Sequence, residues 1–150
     1  MNIAIGADHR GFHHKELIKQ LLVIPDKNIT WIDVGTCNAQ RTDYPKYVQE
    51  VCNTIVNEQA TYGILICGSG VGMSIAANRY AKVYAALVWN EEVARMSRED
   101  DNANVLVLPA DFIDAAQSVK MIQAWLQATF KKGRYQERLN MIDELKSIRE

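Results

Sequence analysis

Short apolar runs rich in β-branched residues alternate with longer segments of helical periodicity along this sequence. That alternation is typical of βαβ units, in which parallel strands form a sheet whose two faces are covered by helices. The five predicted strands are Asn2–Gly6, Thr30–Val34, Gly63–Cys67, Val83–Val88 and Val105–Leu108. A chain of 150 residues, 48% of them hydrophobic, suffices for one core. We therefore expect a single α/β domain over residues 1–150, a three-layer sandwich around a five-stranded parallel sheet.

The predicted helices lie between and after these strands. Their spans are Gly11 to Leu22, a helix that begins at Tyr44 and Pro45, one from a glycine loop to about Tyr80, Phe112 to Phe130, and Tyr135 to Ile148. In the third of them, Ile75 and Ala76 are expected to face the sheet. The last helix carries the apolar line Leu139, Ile142 and Leu145 but has little sheet left to cover. We expect it to pack on a partner subunit, since homodimers are the commonest oligomers.

The charge balance and the cysteine spacing argue against several kinds of binding partner and structural site. Seventeen Lys and Arg residues face eighteen Asp and Glu residues, so no global basic field attracts nucleic acid or an anionic membrane. The three cysteines are odd in number and lack CxxC spacing, which argues against disulfides and a zinc cluster. No apolar run is long enough for a signal peptide or a membrane span. We expect a cytoplasmic protein whose anion sites are built locally.

Three loops follow the first three strands and should converge, because ligands of open parallel sheets bind at the carboxyl ends of the strands. The third loop, Gly68-Ser69-Gly70-Val71-Gly72, has glycine at every second position between a strand and a helix. Its backbone N–H groups can turn inward and hold a phosphate or an oxyanion. The alternative is a tight strand-to-helix turn that uses glycine for its positive φ. The loop does not fit a dinucleotide fingerprint, because Met73 occupies the third required position.

Cys67 directly precedes this loop, at the predicted start of a helix. The helix dipole favours a thiolate there, which can act as a nucleophile or as a proton-transferring base. The competing interpretation is a buried cysteine that acts as a small hydrophobe. For Cys37 and Cys52 we favour this competing interpretation, which assigns them no chemistry.

Two further pairs of polar residues are candidates for binding. Asp8 and His9 follow the first strand, where they can hydrogen-bond to sugar hydroxyls or phosphate. The alternative is a pair of solvated loop residues. Arg134 and Arg138 are four residues apart, a spacing that suits either a phosphate clamp or a solvated charged face.

Several motifs, in order and spacing, resemble those of ribose-5-phosphate isomerase B and the related galactose-6-phosphate isomerases. They are Ala4 to Phe12, Asp33 to Thr36, Arg41 to Pro45, Gly63 to Gly72 with Ile75 to Arg79, Ala94 to Arg98, Asn104 to Leu106, and Gly133 with Arg134. The resemblance covers nearly the whole chain. It implies a Rossmann-like fold and a metal-free, cofactor-free aldose–ketose isomerase that works as a homodimer or homotetramer with its active sites at a subunit interface.

The resemblance also implies roles for individual residues. Cys67 would be the base that moves a proton between C1 and C2, and the loop would stabilise the enediolate. The expected catalytic residues are Cys67, Asp100 and Ser69; the expected substrate-binding residues are Asp8, His9, Gly68, Ser69, Gly70, Val71, Gly72, Asp101, Arg134 and Arg138, with the two arginines holding the phosphate.

Three positions depart from the pattern of the family. Asp100 replaces a histidine that is thought to open the sugar ring, so ring opening passes to Asp100, His9 or water. Asp111 replaces an arginine expected after the fifth strand, and Tyr135 replaces a histidine. These changes predict weaker phosphate binding or an altered substrate pose.

The sequence therefore favours interconversion of ribose 5-phosphate and ribulose 5-phosphate. The alternatives are an isomerase of allose or galactose 6-phosphate, a binding module that has lost its chemistry, and, disfavoured by Met73, a dinucleotide-binding domain.

Overall fold

The computed structural model describes residues 1–145, which form a five-stranded sheet with helices on both faces. All the strand pairings in the sheet are parallel, and the strand order is β2-β1-β3-β5-β4. The elements are β1 (Asn2–Ala7), α1 (Phe12–Leu21), β2 (Thr30–Asp33), α2 (Tyr44–Val56), β3 (Tyr62–Cys67), α3 (Val71–Ala77), β4 (Ala85–Leu87), α4 (Glu91–Asp101), β5 (Val105–Pro109), α5 (Ala115–Gln127) and α6 (Arg134–Asp143). The predicted three-layer α/β fold is confirmed.

Two apolar clusters hold the layers together, one on each face of the sheet. On one face, α1 and α5 pack against Ile5, Ile64 and Leu106, with Trp125 fully buried among them. On the other face, α2 and α3 pack against the alternate strand positions, among them Leu65. The central strands are therefore apolar on both sides, as is usual for parallel strands buried between helices. No helix within residues 1–145 is long and apolar enough to cross a membrane.

The fourth strand is shorter than the predicted span of Val83 to Val88 because its first residues bond elsewhere. The N–H of Val83 donates to the carbonyl of Tyr80 in a turn, and the N–H of Tyr84 donates to the side chain of Asn104 at 2.9 Å. Only Ala85–Leu87 remain in the ladder, at the edge of the sheet.

The orientation of α3 differs from the prediction. Met73 and Ala77 are buried against the sheet, whereas Ile75 is 59% exposed. Residues four apart share a helix face, and Ile75 lies midway between the two buried positions, on the opposite side of the helix. The expectation that Ile75 faces the sheet was wrong.

Helix α6 packs through one apolar residue of its predicted line. Leu139 is buried, but Ile142 and Leu145 are exposed, as is Met141. The phenol of Tyr84 donates hydrogen bonds of 2.7 and 2.8 Å to the carboxylate of Asp143 and ties the helix to the start of β4. Residues 146–148 of the predicted helix lie outside the described residues, and packing of α6 on a partner stays a prediction.

Candidate active site

The carboxyl ends of three neighbouring strands are joined at one edge of the sheet. The N–H of Asp8, after β1, lies 3.3 Å from the carbonyl oxygen of Ile66 in β3. The N–H groups of Ala110 and Asp111, after β5, donate to the carbonyls of Cys67 and Gly68 at 2.9 and 3.0 Å. From β1 the chain runs outward to β2 and then crosses back to β3, so the crevice at the β1–β3 boundary is where an open parallel sheet binds its ligands.

Cys67 ends β3 at the floor of this crevice and is 6% exposed. Its Sγ accepts a hydrogen bond from the backbone N–H of Gly70 at 3.3 Å. Burial raises the pKa of the thiol, the Gly70 N–H opposes that rise, and the nearby charges of Asp8 and Arg10 act in opposite directions. The effect of burial exceeds the stabilisation of the thiolate expected from the start of a helix, so the resting form is the thiol.

The loop after Cys67 needs its glycines for more than one reason. Gly70 has a φ of 76°, and a Cβ atom on it would lie 2.5 Å from Cδ1 of Leu87. A Cβ atom on Gly68 would lie 2.7 Å from Nε of Arg10 and 2.8 Å from a carboxylate oxygen of Asp111. A tight turn explains Gly70 but not Gly68, whose missing side chain makes room for other groups of the crevice.

Asp8 and His9 follow β1, the strand that pairs with the one ending in Cys67. Asp8 is buried, and its Oδ1 accepts N–H groups from Arg10 at 2.9 Å and Gly11 at 3.2 Å, which fixes the turn into α1. Nδ1 of His9 accepts the N–H of Thr42 at 3.3 Å. A neutral His9 ring in this geometry carries its proton on Nε2, which leaves Nε2 a hydrogen-bond donor.

Ser69 and Val71 are exposed on the outer side of the loop, and Gly72 is half-buried. The hydroxyl oxygen of Ser69 accepts the N–H of Val71 at 3.3 Å. Gly72 faces α2, since a Cβ atom on it would lie 2.5 Å from Cζ of Tyr44, so this glycine is explained by helix packing.

An ion pair that the sequence did not predict joins the two sides of the crevice. The guanidinium of Arg10, after β1, pairs with the carboxylate of Asp111, after β5. The negative charge that Asp111 adds at this position is therefore neutralised by Arg10. The signal was present, since Arg10 follows Asp8 and His9 directly, but the partners are 101 residues apart in the chain.

The remaining predicted residues, Asp100, Asp101, Arg134 and Arg138, lie at the other end of the strands. Helix α4 ends with Asp101 just before β5 begins, and the first residue of β5 pairs with Gly63, whereas its last pairs with Cys67. The two ends are about 13 Å apart along the strand direction. Within one chain, these four residues do not meet Cys67.

These four residues form a charged cluster of their own around Tyr135. Lys131 donates to Asp100 at 2.7 Å, and the guanidinium groups of Arg134 and Arg138 lie 5.1 and 5.6 Å from the centre of the Tyr135 ring. Burial and the neighbouring Asp100 raise the pKa of Asp101. Both arginines are exposed and available to an anion from outside the chain.

Comparison with known proteins identifies the family. The sequence model of the Ribose/Galactose Isomerase family matches residues 3–142. The chain is 37% identical over 147 residues to ribose-5-phosphate isomerase B of Escherichia coli K12, covering 98% of this chain and 97% of that protein.

Two solved structures share the fold over nearly their whole length. A ribose 5-phosphate isomerase of Thermotoga maritima superposes with a TM-score of 0.91 at 42% identity, covering 96% of this chain and 98% of the other. Ribose-5-phosphate isomerase B of Mycoplasma genitalium, with bound ribulose-5-phosphate, superposes with a TM-score of 0.86 at 37% identity, covering 95% and 93%. This chain belongs to the ribose/galactose isomerase family.

Proposed function

We propose that the protein interconverts D-ribose 5-phosphate and D-ribulose 5-phosphate, with Cys67 as the proton-transfer base. The observation that carries the proposal is a buried thiol at the floor of the crevice, hydrogen-bonded to Gly70 in a loop of backbone donors. Relatives that cover nearly the whole chain are named ribose-5-phosphate isomerase B, and one was solved with ribulose-5-phosphate bound.

The reaction requires one proton to move between adjacent carbons. The Cys67 thiolate removes the proton from C2 of the open-chain aldose, the C2–H electron pair forms the C1–C2 double bond, and the carbonyl oxygen on C1 becomes an oxyanion. Transfer of the C2 hydroxyl proton to the C1 oxygen, and return of the first proton from Cys67 to C1, give the ketose with a C1 hydroxyl and a C2 carbonyl. Backbone N–H groups of the loop from Gly68 to Gly72, with the Ser69 hydroxyl, stabilise the intermediate, since fixed donors aimed at developing charge are a large term in catalysis.

Asp8 and His9 bind the hydroxyl groups of the sugar beside this reacting end. The Nε2–H of His9 donates to a sugar oxygen, while Thr42 holds the ring through Nδ1. His9 follows β1, which pairs with the strand that ends in Cys67, and this supports it as the ring-opening candidate supplied by the same chain. Asp100, which forms an ion pair with Lys131 at 2.7 Å, is the candidate supplied by a neighbouring chain.

The active protein is a homodimer, or a homotetramer made of two such dimers, in which Arg134 and Arg138 reach the crevice of the partner and bind the substrate phosphate. Two observations support this arrangement. The arginines are exposed and remote from Cys67 of their own chain, and Val71 and Ile75 expose apolar surface next to the loop. The three free cysteines fit the reducing cytoplasm.

Mixed dimers test the shared site. We expect Cys67→Ala and the double variant Arg134→Ala/Arg138→Ala each to be inactive alone. When the two are co-expressed, half of the dimers pair one chain of each kind, and in those one of two sites has all its residues intact, so about one quarter of wild-type activity returns. A mixture as inactive as its components would show that each chain uses its own arginines.

A substrate panel tests the reaction itself. We expect the purified protein to turn over ribose 5-phosphate in preference to allose 6-phosphate and galactose 6-phosphate. Activity on a hexose phosphate alone would replace the pentose assignment. Binding of a stable enediolate mimic with no turnover of any of the three sugars would identify a binding module instead.

A further inference from the structure

The ion pair between Arg10 and Asp111 is held at both ends by backbone hydrogen bonds. The N–H of Arg10 donates to Oδ1 of Asp8 at 2.9 Å, and the N–H of Asp111 donates to the carbonyl of Gly68 at 3.0 Å. The two side chains converge on one point directly over Gly68, where a Cβ atom would meet both of them within 2.8 Å. The Arg10 guanidinium therefore lies beside Gly68, on the exposed side of the crevice.

The pair leaves much of the donor capacity of Arg10 unused. A guanidinium has five N–H donors, and a single Nη2 contact joins Arg10 to Asp111. The Arg10 side chain is 56% exposed, whereas Cys67 beneath it is 6% exposed.

We infer that Arg10 is a substrate-binding residue that donates to the phosphate group of the sugar phosphate, with Asp111 as the positioning residue that holds the guanidinium over Gly68. This inference rests on the proposed function.

The position of the two groups decides which end of the substrate Arg10 meets. The carbons that exchange the proton must reach the buried Sγ of Cys67, so the opposite end of the sugar remains at the mouth. A phosphate dianion is the most strongly hydrated part of the ligand and is costly to bury, which also keeps it there. A planar guanidinium can keep one edge on a carboxylate and present the other to phosphate oxygens.

Inorganic phosphate is the probe that tests this role. We expect Arg10→Met to raise the inhibition constant of phosphate and the KM for ribose 5-phosphate by roughly tenfold or more, with a much smaller change in kcat, because charge-assisted hydrogen bonds to the phosphate are lost in ground and transition state alike. Arg10→Lys keeps the positive charge but loses the paired N–H donors of the guanidinium. Its inhibition constant and KM should lie between those of the wild-type protein and Arg10→Met. Lys120→Met, which removes one positive charge from the exposed face of α5, should change neither constant.

Because the side chains of residues 10 and 111 reach the same place, a second substitution can restore the phosphate affinity lost in Arg10→Met. In the double variant Arg10→Met/Asp111→Arg a guanidinium reaches the same place from the β5 side, so most of the phosphate affinity should return. A double variant that binds phosphate no better than Arg10→Met would overturn the inference, as would an inhibition constant in Arg10→Met that matches Lys120→Met. A loss of kcat with unchanged phosphate inhibition would also overturn it, by assigning Arg10 to the reacting end.

The rise in Tm at saturating phosphate provides a readout that needs no turnover. It should be smaller in Arg10→Met than in the wild-type protein. An inactive wild-type protein that still shows this difference would contradict the proposed function and leave the phosphate contact supported. An active wild-type protein without the difference would contradict the contact alone.

Discussion

The backbone N–H of Gly70 points at the Sγ of Cys67 across 3.3 Å and donates a hydrogen bond to it. Gly70 precedes α3 with a φ of 76°, a left-handed conformation that glycine adopts without steric cost. In the proposed reaction, this donor stabilises the Cys67 thiolate and lies next to the enediolate oxygen. The contact therefore links the proposed base to the loop proposed to stabilise the anion.

The pKa of Cys67 predicts an alkaline-shifted activity profile. Burial raises this pKa above its ordinary value of 9.0, and the base acts as the thiolate. We expect kcat/KM for ribose 5-phosphate to rise with pH from about 7 to about 9, because the thiolate fraction increases across that range. A flat profile there would exclude the Cys67 thiolate as the base. Steady-state kinetics on protein shown to be folded at each pH supply the measurement.

Gly70→Ala should impair both stability and turnover. The new Cβ would lie 2.5 Å from Leu87, and alanine would have to adopt a left-handed conformation that costs about 1 kcal/mol before any clash. We expect the free energy of unfolding to fall by about 2 kcal/mol or more, and kcat to fall with the displaced N–H. Denaturant titration and kinetics measure the two effects. Gly133→Ala is a comparison for backbone strain without a clash, because Gly133 has a φ of 57° and a ψ of −128° and no atom lies within 4 Å of its added Cβ.

Lys15 should be a stabilising residue despite its charge. Its side chain is 2% exposed, and Nζ donates to both oxygens of Asp33 at 2.8 and 2.7 Å, which fastens α1 to the end of β2. Lys15→Met leaves the carboxylate with fewer partners and should lower the free energy of unfolding by about 3 kcal/mol. Lys19→Met, which removes a more exposed partner of the same carboxylate, should cost less.

The pH dependence of stability distinguishes this ion pair from simple packing. Burial acts to raise the pKa of Asp33, but the hydrogen bonds from Lys15 and Lys19 outweigh it and the pKa is lowered. Its contribution is therefore present above the pKa of the unfolded state and is lost as pH falls through the lower, folded value. As pH falls, the free energy of unfolding should therefore decrease less steeply in Lys15→Met than in the wild-type protein. An equal slope in both proteins would contradict the ion pair.

Cys52 should make the protein sensitive to alkali. The thiol is fully buried on α2, and burial raises its pKa to about 12. A raised pKa gives stability that is complete below the unfolded value and lost as pH rises towards the folded one. Above pH 9 the free energy of unfolding of the wild-type protein should fall more steeply than that of Cys52→Ala, by up to about 1.4 kcal/mol per pH unit. Parallel curves would show that Cys52 ionises equally in both states.

Periodicity alone predicted the sheet and the convergence of its loops, because buried parallel strands are continuous apolar runs. It could not orient α3, where Ile75 and Met73 are equally apolar and only the loop before the helix decides which faces the sheet. The Arg10–Asp111 ion pair could not be predicted from the sequence for another reason. Its partners follow β1 and β5, which do not pair with each other but each pair with β3, a relationship set by the strand order and not by local sequence.

Turnover of ribose 5-phosphate by Cys67→Ala, measured beside Cys52→Ala, tests the central claim most directly. Both residues are buried in the same apolar cluster, so the two variants lose similar packing, but only Cys67 lies at the crevice. We predict that Cys67→Ala loses at least a hundredfold in kcat, as expected when a general base is removed, while Cys52→Ala keeps most of its activity. Comparable activity of the two variants would contradict the assignment of Cys67 as the proton-transfer base.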